Sequence, residues 1–422
     1  MIVLRGRTQA WVAAGFGAQY AARAARAILL ARLLSPADLG VYFVLRSLAA
    51  TAAIIAEGGL GQSGLRRVAA AGARSGSVRH ALRHVARVSM AIAPVAGIVT
   101  AVAARLGGAS VANASLTGIT AVLMAWVAVV GGLARGAGRV KAVAMADRVG
   151  VAASDLILLV AVILVARHAT ATIALAVTAA AYVPALAALG LIVLRDSAAL
   201  AAEDGEGAVT RDLLDESWPI TLNALLWKGL SEADLWIVAA FAGVGNAALY
   251  GIASRVAAPL QAPLAIGIFA LSGTAASMHV EGRHRELEAI LKRAARRALM
   301  ITVPAYAGVL LIGPSGLGAV FGAAYASAMP LVMVLGIGQV LNVAAGMGGT
   351  TLLMIGRSRT LLALSAVSTA FTIVAAAALV SWVGVIGAAI ASALGVTLQN
   401  ALALWAVRKN TGMDVHVGAS RA

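Results

Sequence analysis

VGVAASDLILLVAVILVA (149–166), RHAT (167–170) and ATIALAVTAAAYVPALAALGLIVL (171–194) are the lines of sequence that decide the fold. The two apolar runs hold one charged side chain between them, Asp155. At about 1.5 Å of rise per residue, helices of such length cross a hydrocarbon core of about 30 Å. Four residues join them, too few for a domain and enough for a turn outside a membrane. Runs of the same kind recur from end to end. We count twelve, at roughly 11–32, 40–62, 88–106, 112–134, 149–166, 171–194, 218–241, 246–275, 298–317, 328–354, 361–380 and 383–407. Alternation of apolar and polar residues over about ten positions, as in a membrane β-barrel, is absent.

Composition agrees. Of 422 residues, 61% are hydrophobic and 12% charged, with a mean hydropathy of +0.93; a soluble domain carries about 25% charged residues. The net charge of +16 does not point to nucleic acid, because the cations sit in short loops between apolar runs. Numbering the spans, 25 of the 33 Lys and Arg residues fall in the termini and the loops after even-numbered spans, and 3 (Arg32, Arg105, Arg167) in the other loops. That asymmetry predicts cytoplasmic N- and C-termini. The expected fold is therefore an all-α, multi-pass membrane protein. Arg5 and Arg7 precede an apolar run as in a signal peptide, but Arg23 and Arg26 interrupt it, so we read a retained first helix. With no cysteine, thiolate metal sites and thiol catalysis are excluded.

An acidic stretch near the midpoint, 198–217, reads as a linker. The expected organisation is an N-terminal six-helix bundle (1–197), this linker, a C-terminal six-helix bundle (218–407) and a cytoplasmic tail (408–422). Faint internal symmetry supports two copies: Tyr42 precedes Arg46 as Tyr250 precedes Arg255. Basic segments at 78–88 and 283–297 have the pattern of in-plane surface helices or solvated loops.

Five cations remain, all inside apolar runs: Arg23, Arg26, Arg46, Lys228 and Arg255. A charge at mid-bilayer costs about 2.5–3.5 kcal/mol on insertion scales. Gln19, Arg23 and Arg26 share one helical face. The functional reading is a cationic cavity, supplied by both halves, that receives an anionic head group; the guanidinium fork suits phosphate. The alternative is snorkelling or structural ion pairing, and Lys228 and Glu232, at i and i+4, should pair. Intramembrane acids can couple transport to ions, which makes Glu57, Glu232 and Asp234 coupling candidates. Asp155 reads equally well as a helix-end partner of a loop Arg. Gly59–Gly64 fits GxGxxG, but no strand precedes it and the dinucleotide reading fails. His80 and His84 lie among cations, so no metal is expected, and neither is any cofactor.

Three stretches carry a family resemblance. Leu29-Leu30-Ala31-Arg32-Leu33-Leu34-Ser35-Pro36-Ala37-Asp38-Leu39-Gly40-Val41-Tyr42 resembles the join of helices one and two in the polysaccharide-exporter branch of the multidrug/oligosaccharidyl-lipid/polysaccharide flippase superfamily. Glu57-Gly58-Gly59-Leu60-Gly61 with Arg66-Arg67 is similar to its exit from helix two, and Asp234, Gly243 and Ala248-Leu249-Tyr250 to its second-half opening, with Ala248 replacing the usual Gly. The resemblance implies an inner-membrane flippase, not an enzyme, for polyprenyl-diphosphate-linked oligosaccharide in O-antigen, capsule or exopolysaccharide assembly. It also implies alternating access between two bundles. Partners would be that lipid-linked substrate, membrane lipid, and polymerase and chain-length machinery. The five buried cations would line the cavity, and Gln339, Asn342, Gln399 and Asn400 would contact sugar. Rivals are a multidrug exporter of the same superfamily, which should have an acidic aromatic cavity, and a membrane polysaccharide polymerase or ligase, which should have a large outer loop.

Overall fold

The computed structural model describes residues 6–71, 75–166, 169–198, 209–268, 271, 278 and 281–418. Among them the regular structure is helical throughout. The helices are α1 (Gly6–Leu33), α2 (Pro36–Glu57), α3 (Leu60–Ala71), α4 (Ser75–Leu106), α5 (Val111–Gly136), α6 (Val151–Ala166), α7 (Ala171–Ala198), α8 (Val209–Ala242), α9 (Val244–Ala257), α10 (His284–Phe321), α11 (Met329–Ala345), α12 (Gly348–Met354), α13 (Ser358–Val383) and α14 (Val385–Thr411). Eleven of the twelve expected spans fall on one of these helices or a consecutive pair, and the described part of the eighth (246–275) begins on α9. Nine helical segments among the described residues meet a strict standard of length and apolarity for crossing a membrane. The first, seventh and eighth expected spans lie outside those nine, and they are the ones that carry Arg23, Arg26, Lys228, Glu232, Asp234 and Arg255.

Local chemistry sets the boundaries. At the α1–α2 join, Ser35 Oγ accepts from the backbone N–H of Asp38 at 3.1 Å, and Pro36 occupies the first helical position. Gly58 ends α2 at φ 56°, a conformation that costs glycine nothing. Ser110 caps α5 in the same way through Asn113. A π-helical segment, Ala144–Gly150, leads into α6. The pair Pro259 and Pro263 predicts a bent eighth span, and α9 does give way to a 3-10 turn over Ala258–Gln261.

One expectation changes. The basic segments 78–88 and 283–297 are not separate in-plane helices. Their backbones run on as the first turns of α4 and α10, because neither junction holds a glycine or proline to break them. The side chains of Arg79, His80, Arg83 and His84 lie outside the described residues, as do residues 199–208, half of the linker 198–217. The C-terminal residues do not hang free. Met413 and Val415 are buried, Val417 N donates to Ala344 O at 3.1 Å, and Arg296 donates to the carbonyls of Val417 and Gly418.

By compactness the chain divides into two units. One comprises Ala21–Arg26 and Leu33–Leu225; the other comprises Met1–Tyr20, Ala27–Arg32 and Leu226–Ala422. In the first, small residues let backbones touch: a Cβ at Gly132 would strike the carbonyl of Gly61. In the second, α13 and α14 pack along their length, with Gly395 against Thr372. Close approach through small residues is how membrane helices gain dispersion contact where lipid supplies no hydrophobic drive.

Candidate functional site

In the first unit, four helices converge on one acid. Helix α1 presents Arg23 and Arg26 at i, i+3. Helix α2 presents Tyr42 and Arg46 at i, i+4. Helix α7 presents Ala174, Thr178 and Tyr182 at i, i+4, i+8. Helix α6 supplies Asp155. These spacings put each set on one helical face.

Arg26 is the hub. It is 7% exposed, as is Asp155, and the two form an ion pair through Arg26 Nη1 and Asp155 Oδ2. Arg26 Nη2 donates to Thr178 Oγ1 at 2.7 Å and to the Ala174 carbonyl at 3.4 Å. The guanidinium carbon lies 5.1 Å from the centroid of the Tyr42 ring, a cation–π contact. Tyr42 Oη lies 3.4 Å from Thr178 Oγ1. Arg26 Nε and Asp155 Oδ1, both buried, find no hydrogen-bond partner among the described residues. Arg46, half-buried, and Arg23, exposed, are near enough to act on the charge of Asp155, and both act on Tyr182. The reading of Asp155 as a helix-end partner of a loop Arg is therefore corrected. Its partner is Arg26, within the membrane-spanning helices, because burial leaves neither charge another way to be compensated.

Glu57 stands apart from this cluster. It lies eleven residues beyond Arg46 on α2, about 16 Å along the axis. It accepts the backbone N–H of Gly61 and has Arg135 and Asp147 as charged neighbours. Its carboxylate closes the α2–α3 corner.

In the second unit the predicted residues form separate groups. Lys228 Nζ lies 2.5 Å from Glu232 Oε1, the expected i, i+4 pair, with side chains 18% and 33% exposed. Asp234 is 3% exposed and accepts from the Tyr250 hydroxyl, from Leu235 N at 2.8 Å and from Ser392. Arg255 Nη1 donates to the Gly251 carbonyl at 2.8 Å, within its own helix. Of the four amides proposed for sugar, three are linked. Asn400 donates to Asn342 Oδ1 at 2.8 Å, and Asn342 to Gln339 Oε1 at 3.4 Å. Gln399 is not among them. It is 4% exposed and turns into the α13–α14 seam, donating to Ser365 Oγ at 3.0 Å. Sequence reasoning missed Thr178, Tyr42, Tyr250 and Ser392 as partners, because their polarity is ordinary for helices and only packing pairs them with charges. No group of His, Asp and Glu suited to a metal occurs among the described residues.

The arrangement resembles solved transporters. An inward-facing multidrug resistance MATE family transporter of the MOP superfamily superposes with a TM-score of 0.74 at 18% identity, covering 93% of this chain and 94% of that one. An outward-facing structure of such a transporter gives 0.67 at 18%, covering 95% and 94%. A MOP superfamily transporter from Pyrococcus furiosus Vc1 (DSM3638), whose reversed binding-pocket polarity suggests a different function for it, gives 0.68 at 17%, covering 95% and 94%. No curated protein matches the sequence significantly. The family described as polysaccharide biosynthesis protein matches residues 29–330. The fold is thus the multi-pass helical membrane fold of these transporters. With most of its length matched, the chain belongs to the polysaccharide biosynthesis protein family.

Proposed function

We propose that the protein carries a polyprenyl-diphosphate-linked oligosaccharide across the bacterial inner membrane by alternating access, for O-antigen, capsule or exopolysaccharide assembly. The observation that supports this most is the cluster of Arg23, Arg26 and Arg46 around one acid in the first unit. Three guanidiniums less one carboxylate leave a net charge of two, matching the two charges of a diphosphate diester. Arg23 and Arg46 hold the head group together with Arg26, through charge-assisted hydrogen bonds. Lys228 is a weaker anion ligand because Glu232 neutralises it. Among the acids, Asp234 is our candidate for ion coupling, since it is almost wholly buried and held by hydroxyls and a backbone N–H, whereas Glu232 is paired with the Lys228 cation. The linked amides Gln339, Asn342 and Asn400 are the sugar contacts.

The solved neighbours that are multidrug transporters favour a second reading, export of organic cations. A cationic cluster repels such substrates, so we place it second. Proteoliposomes loaded with a fluorescent prenyl-diphosphate oligosaccharide test both. Arg23→Ala and Arg46→Ala should each slow translocation at least about tenfold, with protein levels unchanged. Wild-type rates in both variants would remove the anion site, and efflux of a lipophilic cation without lipid-linked sugar transport would install the second reading. Lys at either position distinguishes charge from bidentate geometry.

A further inference from the structure

A site that carries a substrate must also let it go. Binding has to be favourable enough to load and weak enough to unload. Three arginines, one of them buried, bind a diphosphate tightly, so something in the protein must take them back.

Asp155 is built for that. It is buried, it is the carboxylate bonded to Arg26, and its other oxygen has no hydrogen-bond partner among the described residues. Arg23 and Arg26 from α1 and Arg46 from α2 act on its charge, and it acts on Tyr182 from α7, as Asp147 also does. Arg26 also has capacity left, since its Nε is unbonded. Thr178 and Tyr42 hold the guanidinium laterally, through Oγ1 and the ring face. Neither contact needs Asp155, so the guanidinium can change anion without losing its seat.

Resting on the head-group reading above, we infer that Asp155 is an internal competitor for Arg26. It holds the guanidinium while the site is empty, yields it to the diphosphate on loading, and retakes it to expel the head group. No bond beyond hydrogen bonds forms or breaks, and no proton need move. Asp155 is thus a positioning residue that sets release.

Equilibrium binding of a short-chain prenyl diphosphate to purified protein, together with polysaccharide export in cells, tests this. Asp155→Asn keeps the shape and removes the charge. It should bind the probe at least about tenfold tighter while export falls. Equal or weaker binding overturns the inference. The double variant R26Q/D155N buries no net charge. Its affinity should return to the wild-type level or below, because the gain acts through Arg26; affinity still above wild type would mean that Asp155 acts through Arg23 or Arg46 instead and sinks the inference. The third measurement uses the unaltered protein. Saturating probe should shift a carboxylate infrared band that is missing from R26Q/D155N, and no shift means that Asp155 never lets go. Wild-type protein that fails to bind the probe at all refutes the head-group reading itself, which separates the two failures.

Discussion

Replacing Arg26 by Ala should unfold more of this protein than any other single removal of an intramembrane cation. Arg26 and Asp155 are each 7% exposed and paired. The truncation leaves a carboxylate buried with one oxygen already unpartnered, and it strips Thr178 and the Ala174 carbonyl of a donor. Breaking one side of a buried ion pair costs about 3–5 kcal/mol. Removing both charges together avoids that penalty, so Arg26→Met with Asp155→Leu should lie within about 1–2 kcal/mol of wild type. The assay is unfolding in mixed micelles titrated with denaturing detergent, followed by the fluorescence of the 7 tryptophans. Lys228→Ala is the control, because its pair is partly exposed and worth under about 1 kcal/mol. The reasoning fails if Arg26→Ala is as stable as Lys228→Ala, or if the double variant is no more stable than the single.

Two further expectations follow from packing and charge. A methyl group at Gly395 would run into Thr372 Oγ1, so Gly395→Ala should cost about 1–3 kcal/mol; adding Thr372→Ala should recover most of it in the same unfolding assay, and no recovery would misplace the α13–α14 seam. Single cysteines at Ala37 and Gly76, in a chain with none of its own, should react with impermeant reagents from opposite sides of the membrane, and labelling from one side would refute the span count.

The fold was legible because apolar length and loop charge are properties of the chain itself. Among the described residues the expected spans are helical, and Ser35-Pro36 and Gly58 mark helix ends by cap chemistry that any sequence displays. The candidate site was only half legible. The position of Arg26 within an apolar run marked it as costly, but nothing in one sequence pairs it with Asp155, 129 residues away. Helical spacing predicted the Lys228–Glu232 pair because both partners are on one helix. Gln399 looked as available as Asn400, its neighbour. On a helix, however, adjacent residues point about 100° apart, and the face that each presents is set by the partner helix. The packed C-terminus was similarly hidden, although the alternation of Met413, Val415 and Val417 gave a weak signal of a segment with one buried side.

One spacing ties the two units to a common plan. Asp234 precedes Tyr250 by 16 residues, and the interval from Arg26 to Tyr42, 42 less 26, is the same. Both tyrosines are almost wholly buried, at 2% and 0% exposure, and both meet the charge that precedes them. They meet it differently. Tyr42 turns its ring face to the Arg26 cation, whereas Tyr250 gives its hydroxyl proton to the Asp234 carboxylate. A phenol can do either, because its face is electron-rich and its O–H is a donor. The same register therefore tolerates opposite charges without rebuilding the helix pair around it. The sequence expectation of a cation set shared by both halves overlooked this. At the spacing that holds Arg26 in one unit, the other holds an acid, and Lys228 on the same helix is paired with Glu232. On the proposed function, anion recognition would fall to one unit and ion coupling to the other.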